Sequence, residues 1–447
     1  MGGRLPIVRS APIGFDSGML TRAATGLAAI AVALLVAAGG AAAQAPGYCE
    51  GDGGPAGAAT EAEHGVLVGD PPLPRGVRSG RIAVDGVATR YQEAGPPDAR
   101  EAVVFVHGHP GSSRDWDDLV AATGRFARAI AFDMTGYGQS QKAANAFQSA
   151  DGGGRFVHAA LSRLGVDRAV LGVHDFGGVW GLEWARHNLD RLLGAVLVNS
   201  GVYIDWVPHP QVFAWATPGA GEAEMAATTR ESFREAIQAR TPRRLPEPFI
   251  DRMYDDYDRA TRCAALRFYR SAFENPNRGR EQAEVLRRRR IPALAVWGED
   301  DPYVPAEHAE RQREAFPDVR VELIPDSGHW PFVDSAARVR ELVVPFLRPP
   351  LEVARPELAA GRSRVSVRVQ SRGVLPALRV RARLRTVDRR GRASGTIGIG
   401  RRPVTVRGAR VLTFPLTRRL RPGTYEVVVR ARGLATRRLR VAVGRGG

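Results

Sequence analysis

Apolar residues after position 79 come in short, unbroken runs. Ala102, Val103, Val104, Phe105 and Val106 form one, and the stretches 129–132, 169–171, 195–198, 293–297 and 319–324 form others. A run without alternation predicts a strand buried on both faces, as in a parallel sheet. Helix-like stretches, including 155–164 and 179–188, lie between several of these runs. Strands alternating with helices predict the α/β class: a mostly parallel sheet covered on both sides. Residues 81–92 differ, alternating around Asp85-Gly86 like a strand pair with its turn.

The pattern breaks twice. Between positions 203 and 289 the strand runs stop, and a charged, helix-compatible stretch carries scattered aromatics, among them Trp206, Phe213, Trp215, Tyr254, Tyr257, Phe268, Tyr269 and Phe273. An insert of that length inside an α/β sheet predicts a helical lid, with a peripheral helical decoration as the alternative. After Pro349-Pro350, Val365, Val367 and Val369 alternate with polar residues, and Leu378, Val380, Ala382 and Leu384 alternate with Arg379, Arg381, Arg383 and Arg385. Half-buried strands at this spacing predict a β-sandwich, and the stretch resembles the immunoglobulin-like or fibronectin-like modules appended to bacterial exported proteins.

Charge sharpens that division. From position 351 onward there are 25 arginines and 4 acidic residues, a net +21, so the rest of the chain nets −4 within a total of +17. The basic excess belongs to the tail. It reads as a solvated strand face or as a surface for acidic cell-envelope polymer. No nucleic-acid motif or aromatic interleaving accompanies it, so nucleic acid is not an expected partner. Near the amino terminus, Met19 and Arg22 precede an apolar stretch at 27–38 and then Ala41-Ala42-Ala43, a pattern that predicts a cleaved export signal, with a membrane anchor as the alternative. Exported proteins often pair cysteines; this chain has Cys49 and Cys263, and their spacing alone leaves pairing open. The expected organisation is therefore an export segment (1–43, with Met19 as an alternative start), a flexible lead-in (44–78), an α/β domain (79–350) with a lid at about 204–289, a linker (351–362) and an arginine-rich β module (363–447).

Chemistry concentrates after four of the buried runs. Val173-His174-Asp175-Phe176-Gly177 follows one run and precedes a helix-like stretch, the context of a nucleophile elbow, with a carboxylate as the nucleophile. A carboxylate there attacks carbon and becomes part of an ester, whereas a serine takes an acyl group. His107-Gly108-His109-Pro110-Gly111 follows the 102–106 run, and the glycine-bearing loop from Asp133 to Ser140 reads as structural. Trp297-Gly298-Glu299-Asp300-Asp301-Pro302 offers an acid to orient an imidazole: Asp301 by position, with Asp300 and then Glu299 as fallbacks. Ser327-Gly328-His329-Trp330-Pro331 offers the imidazole. The order Asp175, Asp301, His329 is nucleophile, acid, base.

On these motifs, residues 79–350 resemble the α/β-hydrolase superfamily, and within it the branch with an Asp nucleophile that contains epoxide hydrolases and haloalkane dehalogenases. The resemblance implies that Asp175 forms an alkyl-enzyme ester, that His329, oriented by Asp301, activates water, and that the backbone N–H groups of His109 and Phe176 form an oxyanion hole. It implies no metal or organic cofactor, and a small apolar substrate. Family dehalogenases hold halide with an indole after the nucleophile plus a lid tryptophan or a loop asparagine; here Phe176 and His109 stand at the first and last of these positions. The segment Leu266-Arg267-Phe268-Tyr269-Arg270 resembles the epoxide-hydrolase stretch that carries a ring-opening tyrosine, so Tyr269 is the expected ring-oxygen donor. The usual second tyrosine has no counterpart early in the lid, which leaves Tyr203, Tyr254 or Tyr257 as its replacement, or Tyr269 alone. The expected activity is epoxide opening. Dehalogenation, ester or lactone cleavage, and a non-catalytic surface-binding protein are the alternatives.

Overall fold

The computed structural model describes residues 47–50, 72–142, 147–348 and most of 351–443. The expected export segment and residues 51–71 of the expected lead-in lie outside the described residues. The core is an eight-stranded sheet: β1 (Val77–Val84), β2 (Val87–Ala94), β3 (Glu101–Val106), β4 (Arg128–Phe132), β5 (Arg168–His174), β6 (Leu192–Val198), β7 (Ala293–Gly298) and β8 (Arg320–Ile324), in the spatial order β1-β2-β4-β3-β5-β6-β7-β8. β1 and β2 form the expected antiparallel pair and β2 runs antiparallel to β4; every other pairing is parallel.

The uninterrupted apolar runs have a physical cause. Side chains of a strand alternate between faces, and in β3 both faces are covered: Val104 and Val106 join one hydrophobic cluster while Val103 and Phe105 join the other. The helices that cover the sheet are α1 (Asp117–Gly124), α2 (Ala150–Arg163) and α3 (Phe176–His187), and, beyond β7, α10 (Glu307–Arg311), α11 (Pro331–Asp334) and α12 (Ala336–Leu347). Between β6 and β7 the chain makes six helices with no strand: α4 (Pro210–Ala216), α5 (Ala220–Ala227), α6 (Arg230–Gln238), α7 (Glu247–Asp255), α8 (Arg259–Ala272) and α9 (Arg278–Leu286). These occupy the stretch expected to form a lid.

β3 pairs with β4 on one side and β5 on the other, so the sheet reverses direction of growth there. In open α/β sheets the crevice beyond the carboxyl ends of the strands at such a reversal is the usual ligand site. Val106 of β3 sits beside Val173 of β5, which brings the loops after the two strands level with each other.

Two features refine the expected boundaries. Cys49 and Cys263 are joined in a disulfide, so the turn at residues 47–50, within the stretch expected to be a flexible lead-in, is tied to α8. Arg259 of the same helix donates a hydrogen bond to the Tyr48 carbonyl at 2.6 Å. The expected linker at 351–362 carries two short strands, β9 (Leu351–Val353) and β10 (Glu357–Leu358), both paired with β11 (Arg364–Ser371). Strands of two or three residues are too short to show a period, which is why the pattern reads as a linker. Beyond them come β12 (Leu378–Val387), β13 (Ala393–Ile397), β14 (Val404–Val406), β15 (Gly408–Pro415), β16 (Gly423–Ala431) and β17 (Arg437–Val443). They form two antiparallel sheets, β10-β11-β15 with β9 also on β11, and β13-β12-β16-β17 with β14 also on β12. Val367 and Val369 are fully buried, while Arg381, Arg383 and Arg430 are exposed.

Candidate active site

Asp175 sits between β5 and α3 with φ 47° and ψ −124°, a conformation that costs a non-glycine residue energy and persists where the surroundings impose it. The turn is tight enough to demand glycine around it. A Cβ on Gly177 would lie 2.2 Å from the Val106 carbonyl oxygen, and one on Gly108 would lie 2.3 Å from the Asp175 Cβ. The strain presents the carboxylate to the crevice. There it accepts the His109 backbone N–H at Oδ1, 2.7 Å away, and meets His329 Nε2 at 3.6 Å from Oδ2.

The other two expected residues arrive from the far strands. His329 follows β8, and its Nδ1 donates to Asp301 Oδ2 at 2.8 Å. Asp301 follows β7, and both of its oxygens are fully engaged. Oδ1 accepts the backbone N–H groups of Tyr303 (2.8 Å) and Val304 (3.1 Å), while Oδ2 also accepts the Asn199 side-chain amide (2.7 Å). Asp300 is exposed and makes no side-chain contact of this kind among the described residues. The structure thus brings Asp175, His329 and Asp301 into one line and leaves Asp300 outside it.

The charges of this line are strongly coupled. Burial would raise the Asp175 pKa, but contact with His329, the His329 and His174 charges, and the His109 N–H carry it down to about 2. Burial also opposes protonation of His329, yet the Asp301 carboxylate and the contacts with Asp175 and Asp301 raise its pKa to about 10. At neutral pH the resting site holds a carboxylate nucleophile beside an imidazolium.

Three supporting residues escaped the sequence reading. His174 Nε2 lies 2.8 Å from the His329 carbonyl, and since a carbonyl only accepts, that nitrogen carries the proton. Burial, ahead of the neighbouring His329 charge, lowers the His174 pKa to about 4, so it serves as a neutral strut. Asn199, just past β6 at φ 44°, donates to Asp301 and to the Gly328 carbonyl (3.2 Å) and accepts the Gly298 N–H (3.0 Å), joining the loops that carry acid and base. Ser200 Oγ donates to the Asp175 carbonyl at 2.6 Å. A polar residue directly after a buried apolar strand is the one signal the sequence offers for such roles. The loop at Asp133 behaves as expected: its carboxylate accepts the Ser113 and Gln139 backbone N–H groups, each at 2.7 Å.

Above this line lies a cavity of about 580 Å³ lined by His109, Asp175, Phe176, Tyr269 and His329 among others. Such a volume suits a small organic ligand. Phe176 opens α3, and its ring stacks on His109 with centroids 5.6 Å apart. Tyr269, from α8, packs edge-on against Phe176 (5.0 Å) and His109 (6.0 Å). The remaining lid tyrosines are engaged: the Tyr203 hydroxyl donates to the Asp175 carbonyl (3.3 Å), Tyr254 to the Thr228 carbonyl (3.3 Å), and Tyr257 to Met225 Sδ (2.6 Å). Among the described residues, the Tyr269 hydroxyl takes no protein partner. Burial, and then the Asp175 charge, push its pKa well above the ordinary 10, so it stays a neutral donor.

A family model described as the alpha/beta hydrolase fold matches residues 101–336. The chain belongs to this family. The hydrolase is 24% identical over 287 residues to a 2-hydroxy-6-oxononadienedioate/2-hydroxy-6-oxononatrienedioate hydrolase of Burkholderia vietnamiensis, covering 60% of this chain and 94% of that protein. Among solved structures, the hydrolase superposes on the Cif epoxide hydrolase from Acinetobacter nosocomialis with a TM-score of 0.55 at 20% identity, over 62% of this chain and 91% of that one. It superposes on the haloalkane dehalogenase DatA from Agrobacterium tumefaciens with a TM-score of 0.51 at 19% identity, over 61% and 95%. Identities this low establish a shared fold. The choice of reaction rests on the residues of the cavity.

Proposed function

We propose that this hydrolase opens epoxides through an ester on Asp175. The observation that carries the reading is the carboxylate at the elbow, held by the His109 N–H at 2.7 Å, with the His329–Asp301 pair behind it. In the first step an Asp175 oxygen attacks a ring carbon. The ring C–O bond breaks, and the ring oxygen takes the Tyr269 proton. Esterification removes the Asp175 charge. That charge helps to raise the pKa of both His329 and Tyr269, so its loss makes the imidazole readier to release its proton and the phenol more acidic as the oxygen needs it.

In the second step His329 Nε2, having passed its proton by way of water to the Tyr269 phenolate left by ring opening, takes one from a second water as that water's oxygen attacks the Asp175 carbonyl carbon. The backbone donors at His109 and Phe176 stabilise the tetrahedral oxyanion. Collapse breaks the ester bond, the proton of the new Asp175 hydroxyl goes to the departing alkoxide, and the diol leaves with Asp175 again a carboxylate, Tyr269 neutral and His329 protonated, for a net addition of one water. Halide release fits less well, because Phe176 offers no side-chain donor beside the nucleophile and the Trp215 indole already donates to Glu224 at 2.9 Å. That leaves the Trp206 indole N–H, without a partner among the described residues, as a single donor where halide binding uses two. The decisive experiment is mass spectrometry of a His329→Gln variant after exposure to an aliphatic epoxide. An adduct of full epoxide mass on Asp175 supports the reading; halide release without any diol from a broad epoxide panel would overturn it.

The reading extends to location. The export pattern at 1–43, together with a Cys49–Cys263 disulfide of the kind that persists in oxidising compartments, supports a secreted or envelope-attached enzyme. The arginine-bearing strands at 363–447 then supply a surface for acidic envelope polymer. Retention of the full chain, but not of a chain ending at 350, by isolated cell wall tests that role.

A further inference from the structure

The cavity wall carries a second set of polar groups: His209, Gln211, Glu224, Arg240 and Tyr303. Most of these groups already have partners. Gln211 donates to Glu224, as does the Trp215 indole, and His209 Nδ1 accepts the Gln211 N–H at 3.3 Å. Of the two arginines lining the cavity, Arg278 is paired with Asp151 (2.8 and 2.9 Å) and lies 3.4 Å from Glu183.

Arg240 differs. It follows the end of α6, donates to the Ala236 carbonyl of its own helix at 3.2 Å, and among the described residues has no carboxylate within ion-pair distance. Its charge acts on Tyr303, whose pKa burial raises to about 12 against the opposing pull of Arg240, and on Glu224; the Tyr303 ring lies 5.0 Å from that of His329. A guanidinium carries five N–H donors in a planar fork matched to carboxylate. Arg240 is half-buried on the cavity wall, and a guanidinium there without an ion-paired carboxylate is open to an anionic ligand. Val212, Phe233 and Ile237 line the same cavity, so it also accommodates an apolar chain.

We infer that Arg240 is the anchor of an anion subsite, and that the hydrolase takes substrates bearing a carboxylate several carbons from the electrophilic centre. The chemistry at the other end rests on the epoxide reading; the subsite does not. The lining carboxylates Glu224 and Asp205 are hydrogen-bonded elsewhere, Glu224 by Gln211 and Trp215 and Asp205 by Arg280 and Arg311, which leaves the Arg240 guanidinium without a direct ion pair among the described residues.

Two arms test this separately. In the first, decanoate and decanol are titrated against the full chain and Arg240→Met, reading the fluorescence of the cavity-lining Trp206 and Trp215. The native protein should prefer decanoate by about tenfold or more, the usual scale of a charge-assisted hydrogen bond, and R240M should lose that preference while still binding decanol. Equal affinities in the native protein would overturn the subsite whatever the reaction. In the second arm, a terminal-epoxy decanoate and its methyl ester are compared as substrates. R240M should raise KM for the acid about thirtyfold, leave the ester within twofold, and be partly rescued by Arg240→Lys. A native enzyme that treats acid and ester alike, or an R240M that loses both, speaks against Arg240. Failure of the native protein to open either epoxide overturns the epoxide reading alone, and the titration then decides the subsite.

Discussion

The floor and the lid of the cavity are built on opposite terms. On the floor the reacting groups are held: Asp301 takes four donors, His329 is fixed through both its ring and its backbone carbonyl, and Asp175 is pinned by backbone strain and a 2.7 Å hydrogen bond. On the lid the Tyr269 hydroxyl has no protein partner among the described residues, and Arg240 has no acidic one. Catalysis needs groups that are already in place when charge develops. Recognition needs donors that a ligand can satisfy. The difference therefore separates residues that set the reaction from those that set the substrate.

The largest effect should come from removing the floor's charge. Asp175→Asn deletes the nucleophile, and turnover should fall about ten-thousand-fold or more, as for loss of a residue that acts within a catalytic unit. The same variant reports on the coupled charges. His329, raised from 6.5 to about 10, contributes stability that is fully present below pH 6.5 and is lost as pH rises through about 10. Asp175, lowered from 3.8 to about 2, contributes stability present above pH 3.8 and lost as pH falls through about 2. With the Asp175 charge gone, the alkaline loss of Tm should still begin near pH 6.5 but should be smaller and finish below pH 10. An unchanged alkaline limb would mean that Asp301 alone sets the His329 proton.

The lid's donor comes next. Tyr269→Phe should slow epoxide opening by about a hundredfold, the lower range for a positioned acid, with Tm nearly unchanged because the ring still packs against Phe176. The adduct should then form slowly and never accumulate. If Tyr203 or Tyr257 supplies the proton instead, Y269F will keep most of its rate, and the division between an engaged floor and an open lid will fail at its main test.

Much of this arrangement was legible in the sequence, for a physical reason. A strand buried on both faces must be apolar throughout, so the first polar residues after such a run stand at its carboxyl end, where the crevice lies. Asp175, Asp301 and His329 could be found that way, as could the helical insert. The struts could not. His174 and Asn199 act on residues 155 and 102 positions away, and nothing local marks those contacts. Arg240 is one arginine among many in a charged helical stretch; only the missing acidic partner distinguishes it, and that is a property of the packed lid. Asn199→Ala offers a sharp check on the struts. It leaves Asp301 and the loop at Gly328 less fixed, so hydrolysis of the ester should slow about tenfold, on the scale of a misplaced catalytic group, while adduct formation keeps its rate. Equal slowing of both steps would indicate general disorder of the floor.

The smallest effect on rate should come from the link between Cys49 and α8, the helix that carries Tyr269. The disulfide closes a chain segment of 214 residues, and constraint of the unfolded chain predicts a stabilisation of about 2–5 kcal/mol, less if the unfolded state retains structure. Cys49→Ala with Cys263→Ala should lower Tm by several degrees. The rate at moderate temperature should stay within about twofold, because α8 also buries Leu266 and Phe268 against the core, and contacts of that size hold a helix without a covalent tie. The informative quantity is where the loss appears. If heating the double variant abolishes turnover before the sheet melts, as read by the near-ultraviolet signal of the buried Trp297 against far-ultraviolet ellipticity, then the lid is the less stable unit and the disulfide holds it. If activity and sheet fail together, floor and lid form one cooperative unit despite their different chemistry.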